Sequence, residues 1–218
     1  DYRNLNLAVA GTRPDGHPFY RRANPAFSDV IFLTDTDEGN AWTIATKLER
    51  PFRNGWYASG SYLYGRSKTV NDGGSSQARS NWINNYFADD VNDVPVGISN
   101  FDPAHRITAS MAYEVPLGPT RATFSLYYNG QTGRPYAYRY SNDVNLDAGT
   151  TNDLFYIPRD ANDVIIPNGT FAQLMAFLED ASCSDLTPGT IVERNSCRGP
   201  WTNTLDFHTA VNVPFGRY

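Results

Sequence analysis

The stretch that decides the fold runs from residue 105 to residue 115 and reads His105-Arg106-Ile107-Thr108-Ala109-Ser110-Met111-Ala112-Tyr113-Glu114-Val115. Its odd-numbered residues are mostly apolar, and its even-numbered residues are polar or small. Because successive side chains of a β-strand point to opposite faces, this alternation predicts a strand with one apolar and one polar face.

The same alternation recurs in five further segments, so about six strands are predicted in all. Segment 121–129 shows it clearly, with Ala122, Phe124, Leu126 and Tyr128 on one face. The predicted strands cover about residues 1–10, 42–52, 55–66, 104–115, 120–131 and 202–213.

The connections between these strands alternate between short and long. Two are tight turns, and the others are predicted as long loops over about 11–41, 67–103 and 132–201. An antiparallel transmembrane β-barrel has this asymmetry, with short periplasmic turns and long extracellular loops. Since a closed membrane barrel needs at least about 8 strands, the chain is predicted to be an all-β part of a larger barrel.

Aromatic residues lie near several predicted strand ends, as the interfacial girdles of membrane barrels require. They are Trp42, Trp56, Tyr113, Tyr127, Tyr128 and Trp201. The alternative interpretation is a soluble β-sandwich with these rings in its core.

Composition excludes several classes of protein. The 218 residues carry a net charge of −5, so there is no basic excess for nucleic acid, and no nucleic-acid partner is expected. The longest apolar run is five residues, 174–178, far short of the about 20 that a membrane-spanning helix needs. The chain opens inside an alternating segment without Met, so we expect it to be a piece of a longer chain.

Four strings in the second half of the chain carry a family resemblance. They are Ser99-Asn100-Phe101-Asp102-Pro103-Ala104-His105-Arg106-Ile107-Thr108, Tyr127-Tyr128-Asn129-Gly130-Gln131-Thr132-Gly133-Arg134-Pro135-Tyr136, Asn152-Asp153-Leu154-Phe155-Tyr156-Ile157-Pro158 and Arg194-Asn195-Ser196-Cys197-Arg198-Gly199-Pro200-Trp201-Thr202-Asn203. These strings resemble the C-terminal barrel region of TonB-dependent outer-membrane receptors, in the Oar-like branch that carries a carboxypeptidase-regulatory-like domain. The resemblance extends over roughly residues 40–213.

The resemblance implies a 22-stranded barrel with an internal plug, in the bacterial outer membrane, with residues 1–218 forming part of one C-terminal barrel domain. It also implies TonB-dependent uptake of an unidentified extracellular ligand. The implied partners are outer-membrane lipid, lipopolysaccharide and the TonB complex, the last through N-terminal parts that this sequence does not contain.

Two other functions remain open from the sequence. The barrel could anchor a structural or adhesive surface protein, or it could be a passive porin whose lumen is lined by polar side chains. We expect no enzyme activity and nominate no catalytic residue, because the three histidines, His17, His105 and His208, lie far apart and no nucleophile motif accompanies them.

Residues 143–153 contain oxygen-bearing side chains at alternating positions, followed by a glycine. This resembles the first half of a calcium-binding loop without the bidentate Glu of an EF-hand. The expected Ca²⁺ ligands are Asp143, Asn145, Asp147, Asn152 and Asp153. The alternative is a loop of Asx turns whose acids are solvated.

The two cysteines, Cys183 and Cys197, are the only ones in the chain, so a single disulfide pairing is predicted. They lie in the longest connection, which the barrel topology places outside the cell in an oxidising environment.

The stretch of residues 168–180, which precedes Cys183, predicts a short amphipathic helix with Thr170 as N-cap.

Overall fold

The computed structural model describes residues 1–184 and 186–212. Within these residues the strands are β1 Tyr2–Asn4, β2 Leu7–Thr12, β3 Pro18–Arg22, β4 Ile31–Leu33, β5 Asn40–Arg53, β6 Trp56–Thr69, β7 Gly97–Ile98, β8 Ala104–Leu117, β9 Thr120–Gln131, β10 Pro135–Tyr136, β11 Cys197–Arg198 and β12 Thr202–Asn212. The helices of the same part of the chain are α1 Ala78–Ile83 and α2 Phe171–Asp180. Neither helix is long and apolar enough to cross a membrane.

The chain divides into two compact units. The strand unit consists of Ala41–Arg66, Pro103–Gly133 and Pro200–Tyr218. The connection unit consists of Asp1–Asn40, Ser67–Asp102 and Arg134–Gly199.

The largest sheet has five long strands in the order β12-β9-β8-β6-β5, and the two-residue β7 pairs with the end of β6. The register of β6, β8, β9 and β12 is antiparallel throughout. The predicted antiparallel β fold is therefore confirmed. The five long strands cover the segments predicted from residue 42 onward, except that Gly55 lies in the turn before β6 and Val213 lies outside the described residues.

Residues 1–10 do not form the predicted barrel strand. They form β1, paired with β4, and β2, paired with β3, in two small separate sheets. The chain turns between β1 and β2 because the Asn4 side chain accepts hydrogen bonds from the backbone N–H groups of Asn6 and Val30, both at 3.1 Å. Asn4 and Asn6 are buried and Leu5 is 60 % exposed, which is the reverse of what the predicted strand requires.

The strand register separates the large sheet into an apolar and a polar face. One row across β6, β8, β9 and β12 consists of Ala58, Met111, Leu126 and Phe207. The adjacent row on the opposite face consists of Ser59, Ser110, Tyr127 and Asp206. The alternation therefore continues in register across four strands, as a wall between two different environments requires.

Two-residue turns join the long strands in pairs. Between β5 and β6, Asn54 and Gly55 have φ of 55° and 79°, the left-handed pair that a tight hairpin turn requires and that Asn-Gly adopts readily. Gly118 has φ of 65° in the turn between β8 and β9. These turns hold the register of both hairpins.

The long connections are folded around two apolar clusters. The first contains the buried residues Leu7, Tyr20, Trp82, Phe87, Val91 and Val94. The second contains Leu154, Ile157, Leu178 and Val192, with Leu174 and Met175 of α2 packed against it. The segments predicted as loops thus form a unit with its own cores, because their apolar side chains are numerous enough to bury one another.

Helix α2 begins as its sequence indicates. The Thr170 side chain accepts the backbone N–H of Gln173, and the Gln173 side chain accepts the backbone N–H of Thr170 in return. This capping box satisfies two N–H groups that a helix start otherwise leaves unbonded.

Candidate functional site

The loop of residues 143–153 is built by side chains that accept hydrogen bonds from nearby backbone. Asn145 Oδ1 accepts the N–H of Asp147, and Asp147 Oδ1 accepts the N–H of Gly149, at 3.0 and 2.5 Å. The two oxygens of Asp143 accept the N–H groups of Asp147 and Ala148. Successive Asx turns therefore coil the chain tightly, which short Asn and Asp side chains favour.

The structure brings the five expected calcium ligands together in this loop. Asn145, Asp147, Asn152 and Asp153 are at most 2 % exposed, and Asp143 is partly buried. Asp147 Oδ2 accepts the Asn152 amide at 2.8 Å, and Asp153 Oδ2 accepts the backbone N–H of Val144 at 2.8 Å. The Asx turns of the alternative interpretation are present, but Asp147 and Asp153 are buried, so solvated acids do not describe these two residues.

Burial shifts the titration of two of these acids. Burial, together with the negative charges of Asp153 and Asp143, raises the pKa of Asp147 to about 6, against the lowering effect of the hydrogen bonds from Gly149 and Asn152. Burial also raises the pKa of Asp153, while the nearby His17 lowers it. The cause in each case is that a carboxylate loses hydration when it is removed from water.

Two oxygens of the loop have no hydrogen-bond partner. They are Asn152 Oδ1 and Asp153 Oδ1, both buried. Over the described ranges 1–184 and 186–212, no three His, Cys, Asp or Glu side chains group as a metal site. A cation in this loop would therefore have to take amide or backbone oxygens together with carboxylates, which hard cations accept.

The loop is bonded through its backbone to three other parts of the connection unit. The carbonyl of Asn145 accepts the N–H of Tyr20, and the carbonyl of Asn152 accepts the N–H of Phe87, both at 2.8 Å. The carbonyl of Asp153 accepts the N–H of Tyr140 at 2.9 Å. The loop is therefore a point where three long connections meet.

The disulfide between Cys183 and Cys197 is present, with the sulfur atoms 2.04 Å apart. Backbone hydrogen bonds of 2.8 Å flank it, from Ser184 N to Ser196 O and from Arg198 N to Ser182 O. The bond joins the segment after α2 to β11, which pairs with β10.

The sequence does not predict the burial of two polar residues. His17 is 1 % exposed, and its Nε2 lies 2.9 Å from the carbonyl oxygen of Leu154, which is 137 residues away. Arg194 is 7 % exposed and donates to the carbonyls of Thr69, Val70 and Gly97. Only contacts that are distant in sequence reveal either role, and no local pattern indicates them.

Charged side chains occupy the polar face of the large sheet. Arg106 Nε donates to Asn129 Oδ1 at 2.7 Å, and Arg121 pairs with Glu114 at 2.5 Å. On the same face, the hydroxyl groups of Ser61 and Thr108 form a hydrogen bond of 2.7 Å. This face is suited to water or to a polar partner, and the opposite face is suited to lipid.

Comparison with known proteins agrees with this two-faced sheet. The family described as the outer membrane beta barrel domain matches residues 1–217. The chain belongs to this family and is part of a β-barrel in the bacterial outer membrane. No curated protein and no solved structure matches the chain.

Proposed function

We propose that the chain is the C-terminal part of a TonB-dependent receptor, which takes up an extracellular ligand through a plugged barrel. The observation that carries the proposal is the polar face of the sheet, where Arg106, Glu114 and Arg121 are held by neighbouring side chains. An internal plug domain needs such a polar, hydrogen-bonding wall to dock against. The four strings that resemble Oar-like receptors support the same choice.

The connection unit supplies the part of the receptor that captures the ligand. It contains two apolar cores and a disulfide, so its surface is held in a defined shape. One polar cavity of about 260 Å³ is lined by Asn71, Asp72, Asn81 and Asn100, beside the 73 % exposed ring of Phe101. Amides next to an exposed ring suit a polar ligand with an apolar face. In this proposal the long connections face outside the cell, the TonB complex and lipopolysaccharide are partners, and no chemical step is assigned.

Electrical conductance in planar bilayers separates this function from a passive porin. The full-length protein, reconstituted alone, should show no steady channels, because the plug fills the lumen. Removal of the plug domain should open a large conductance. Steady channels in the intact protein would support the porin and refute the proposal.

Binding of the isolated periplasmic domain of TonB tests the energised mechanism. The full-length protein should bind this domain through a segment N-terminal to Asp1, and deletion of that segment should abolish binding while the barrel still inserts. A structural or adhesive surface protein has no need of this contact. Absence of binding by the intact protein would favour that alternative.

A further inference from the structure

Two buried oxygens of the 143–153 loop, Asn152 Oδ1 and Asp153 Oδ1, have no hydrogen-bond partner. Each side chain is 0 % exposed. A buried acceptor without a partner has lost its hydrogen bonds to water, and no protein donor replaces them. In native proteins such an oxygen usually indicates a bound ion or an ordered water. Both atoms are oxygens, which hard cations prefer as ligands.

The side-chain amide of Asn152 is hydrogen-bonded to the carboxylate of Asp147. Its Nδ2 donates to Asp147 Oδ2 at 2.8 Å, and the Asn145 Nδ2 lies 3.3 Å from the same oxygen. The two ends of an Asn amide have nearly the same size, so a half-turn exchanges its donor and acceptor within the same space. That half-turn would bring Asn152 Oδ1 next to Asp147 Oδ2. Two adjacent oxygens can both bind a cation that lies between them.

The charge balance of the loop also favours a cation. The carboxylates of Asp143, Asp147 and Asp153 belong to one short loop, and those of Asp147 and Asp153 are fully buried. Within residues 1–184 and 186–212, no Lys or Arg forms an ion pair with any of them. Buried carboxylates in proteins are generally paired or bound to a metal.

We propose that the 143–153 loop binds one Ca²⁺ ion through Asp147, Asn152 and Asp153, with Asn145 and backbone oxygens of the loop completing the oxygen set. Two carboxylates, an amide and further oxygens of the loop form a mixed set, which agrees with the absence of a grouping of three acids among the described residues. Ca²⁺ accepts 6–8 oxygens in irregular geometry, whereas Mg²⁺ requires a near-ideal octahedron, so an irregular loop of this kind selects Ca²⁺.

The ion would fasten the loop to three separate segments. The backbone carbonyls of Asn145, Asn152 and Asp153 already bond to the N–H groups of Tyr20, Phe87 and Tyr140. Fixing the side chains that bind the ion would therefore hold three long connections to one another. Many extracellular calcium modules bind Ca²⁺ with a dissociation constant of about 10⁻⁴–10⁻³ M. With a similar affinity, the loop would hold Ca²⁺ at the calcium concentrations found outside a cell.

Terbium luminescence on the full-length protein tests the site. The protein is purified in detergent, stripped with EDTA and titrated with Tb³⁺, which emits when a nearby tyrosine is excited; the backbone of Tyr20 and of Tyr140 is bonded to the loop. We expect a saturable signal that Ca²⁺ displaces. Asp147→Asn and Asp153→Asn should each weaken Ca²⁺ binding by about tenfold or more, since even outer groups of metal sites contribute about 10–100-fold.

Asp160→Asn is the matched control, because Asp160 is an exposed acid in the same connection. Asn152→Asp is a second test that adds a charge to the ligand set, and it should tighten Ca²⁺ binding. An intact Cys183–Cys197 disulfide and an unchanged near-UV circular dichroism spectrum establish that each variant is folded. Equal Ca²⁺ affinity in the wild type, Asp147→Asn and Asn152→Asp would overturn the proposal. Displacement of Tb³⁺ by Mg²⁺ as effective as by Ca²⁺ would overturn the assignment to calcium.

Discussion

Met111 lies directly opposite Leu126 on neighbouring antiparallel strands, in a row that continues to Ala58 on one side and Phe207 on the other. Both side chains are open to the surroundings, at 49 and 39 % exposure. In a protein of the outer membrane beta barrel family, an apolar row near the middle of the strands is the surface that meets lipid.

A charge placed in this row should destabilise the barrel. Leu126→Arg is expected to cost about 2–4 kcal/mol of unfolding free energy, because the guanidinium would be held near the bilayer midplane. Ser125→Arg is the control, since Ser125 lies on the opposite face, and its effect should be well below 1 kcal/mol. Guanidinium unfolding of the full-length protein in liposomes measures both. Equal losses would mean that the two faces do not meet different environments.

The disulfide should stabilise the end of α2 locally. Replacing both Cys183 and Cys197 by Ser removes a closure of 14 residues in sequence separation, for which chain entropy predicts about 3 kcal/mol. Hydrogen exchange in α2 should therefore speed up, while exchange in β8 and β9 stays unchanged. Unaltered exchange in α2 would show that the apolar cluster around Leu178 holds the helix without the disulfide.

Replacement of Arg194 should destabilise the connection unit. Its Nη1 donates to Val70 O at 2.7 Å and to Asn85 Oδ1 at 2.6 Å, and burial lowers its pKa. A Cβ at position 97 would lie 2.8 Å from Arg194 Nε, so Gly97 leaves room for the guanidinium.

Lys cannot reproduce the guanidinium fork, so Arg194→Lys should cost about 3 kcal/mol. Arg159→Lys, at an exposed position, should cost little. Protease susceptibility of the connection unit under native conditions distinguishes the two variants. Equal susceptibility would show that the buried hydrogen bonds of Arg194 do not stabilise the unit.

The turn at residues 159–163 should open in acid. The backbone N–H of Arg159 and the hydroxyl of Tyr156 donate to Asp163 Oδ2 and lower the pKa of that carboxyl. A carboxyl with a lowered folded pKa stabilises the turn at pH values above its unfolded pKa of 3.8, and this contribution is lost as the pH falls through the lower folded value.

Tyr156→Phe removes one donor and should move the Asp163 titration upward, toward 3.8. Carboxyl chemical shifts measured by NMR as a function of pH follow this titration. An unchanged Asp163 midpoint in Tyr156→Phe would contradict the assigned hydrogen bond.

The long strands could be predicted because their signal is local. The alternation of residues 105–115 and 121–129 specifies which side chains share a face, and Asn54-Gly55 specifies the turn that sets the register. Segment 1–10 has the alternation of a long strand but does not form one. It alternates equally well, but the Asn4 and Asn6 side chains are buried and bond to backbone up to 26 residues away, which no local pattern encodes.

The loop at 143–153 could be located from its spacing, since alternate Asp and Asn residues produce Asx turns by local hydrogen bonds. Its burial could not be foreseen, because it depends on backbone bonds to Tyr20 and Phe87, which are far away in the sequence. The position of His17 next to Leu154 has the same origin. Long-range packing, and not local preference, decides whether an acidic loop is solvated or buried.

Spin labels at residues 125 and 126 test most directly whether the apolar face of the sheet meets lipid. The full-length protein is labelled at one position at a time and reconstituted into bilayers, and collision rates with oxygen and with a water-soluble nickel complex are measured. The label at 126 should collide frequently with oxygen, which concentrates in lipid, and rarely with nickel. The label at 125 should show much less oxygen contact. Equal values at the two positions, or the reverse order, would contradict the lipid-facing assignment.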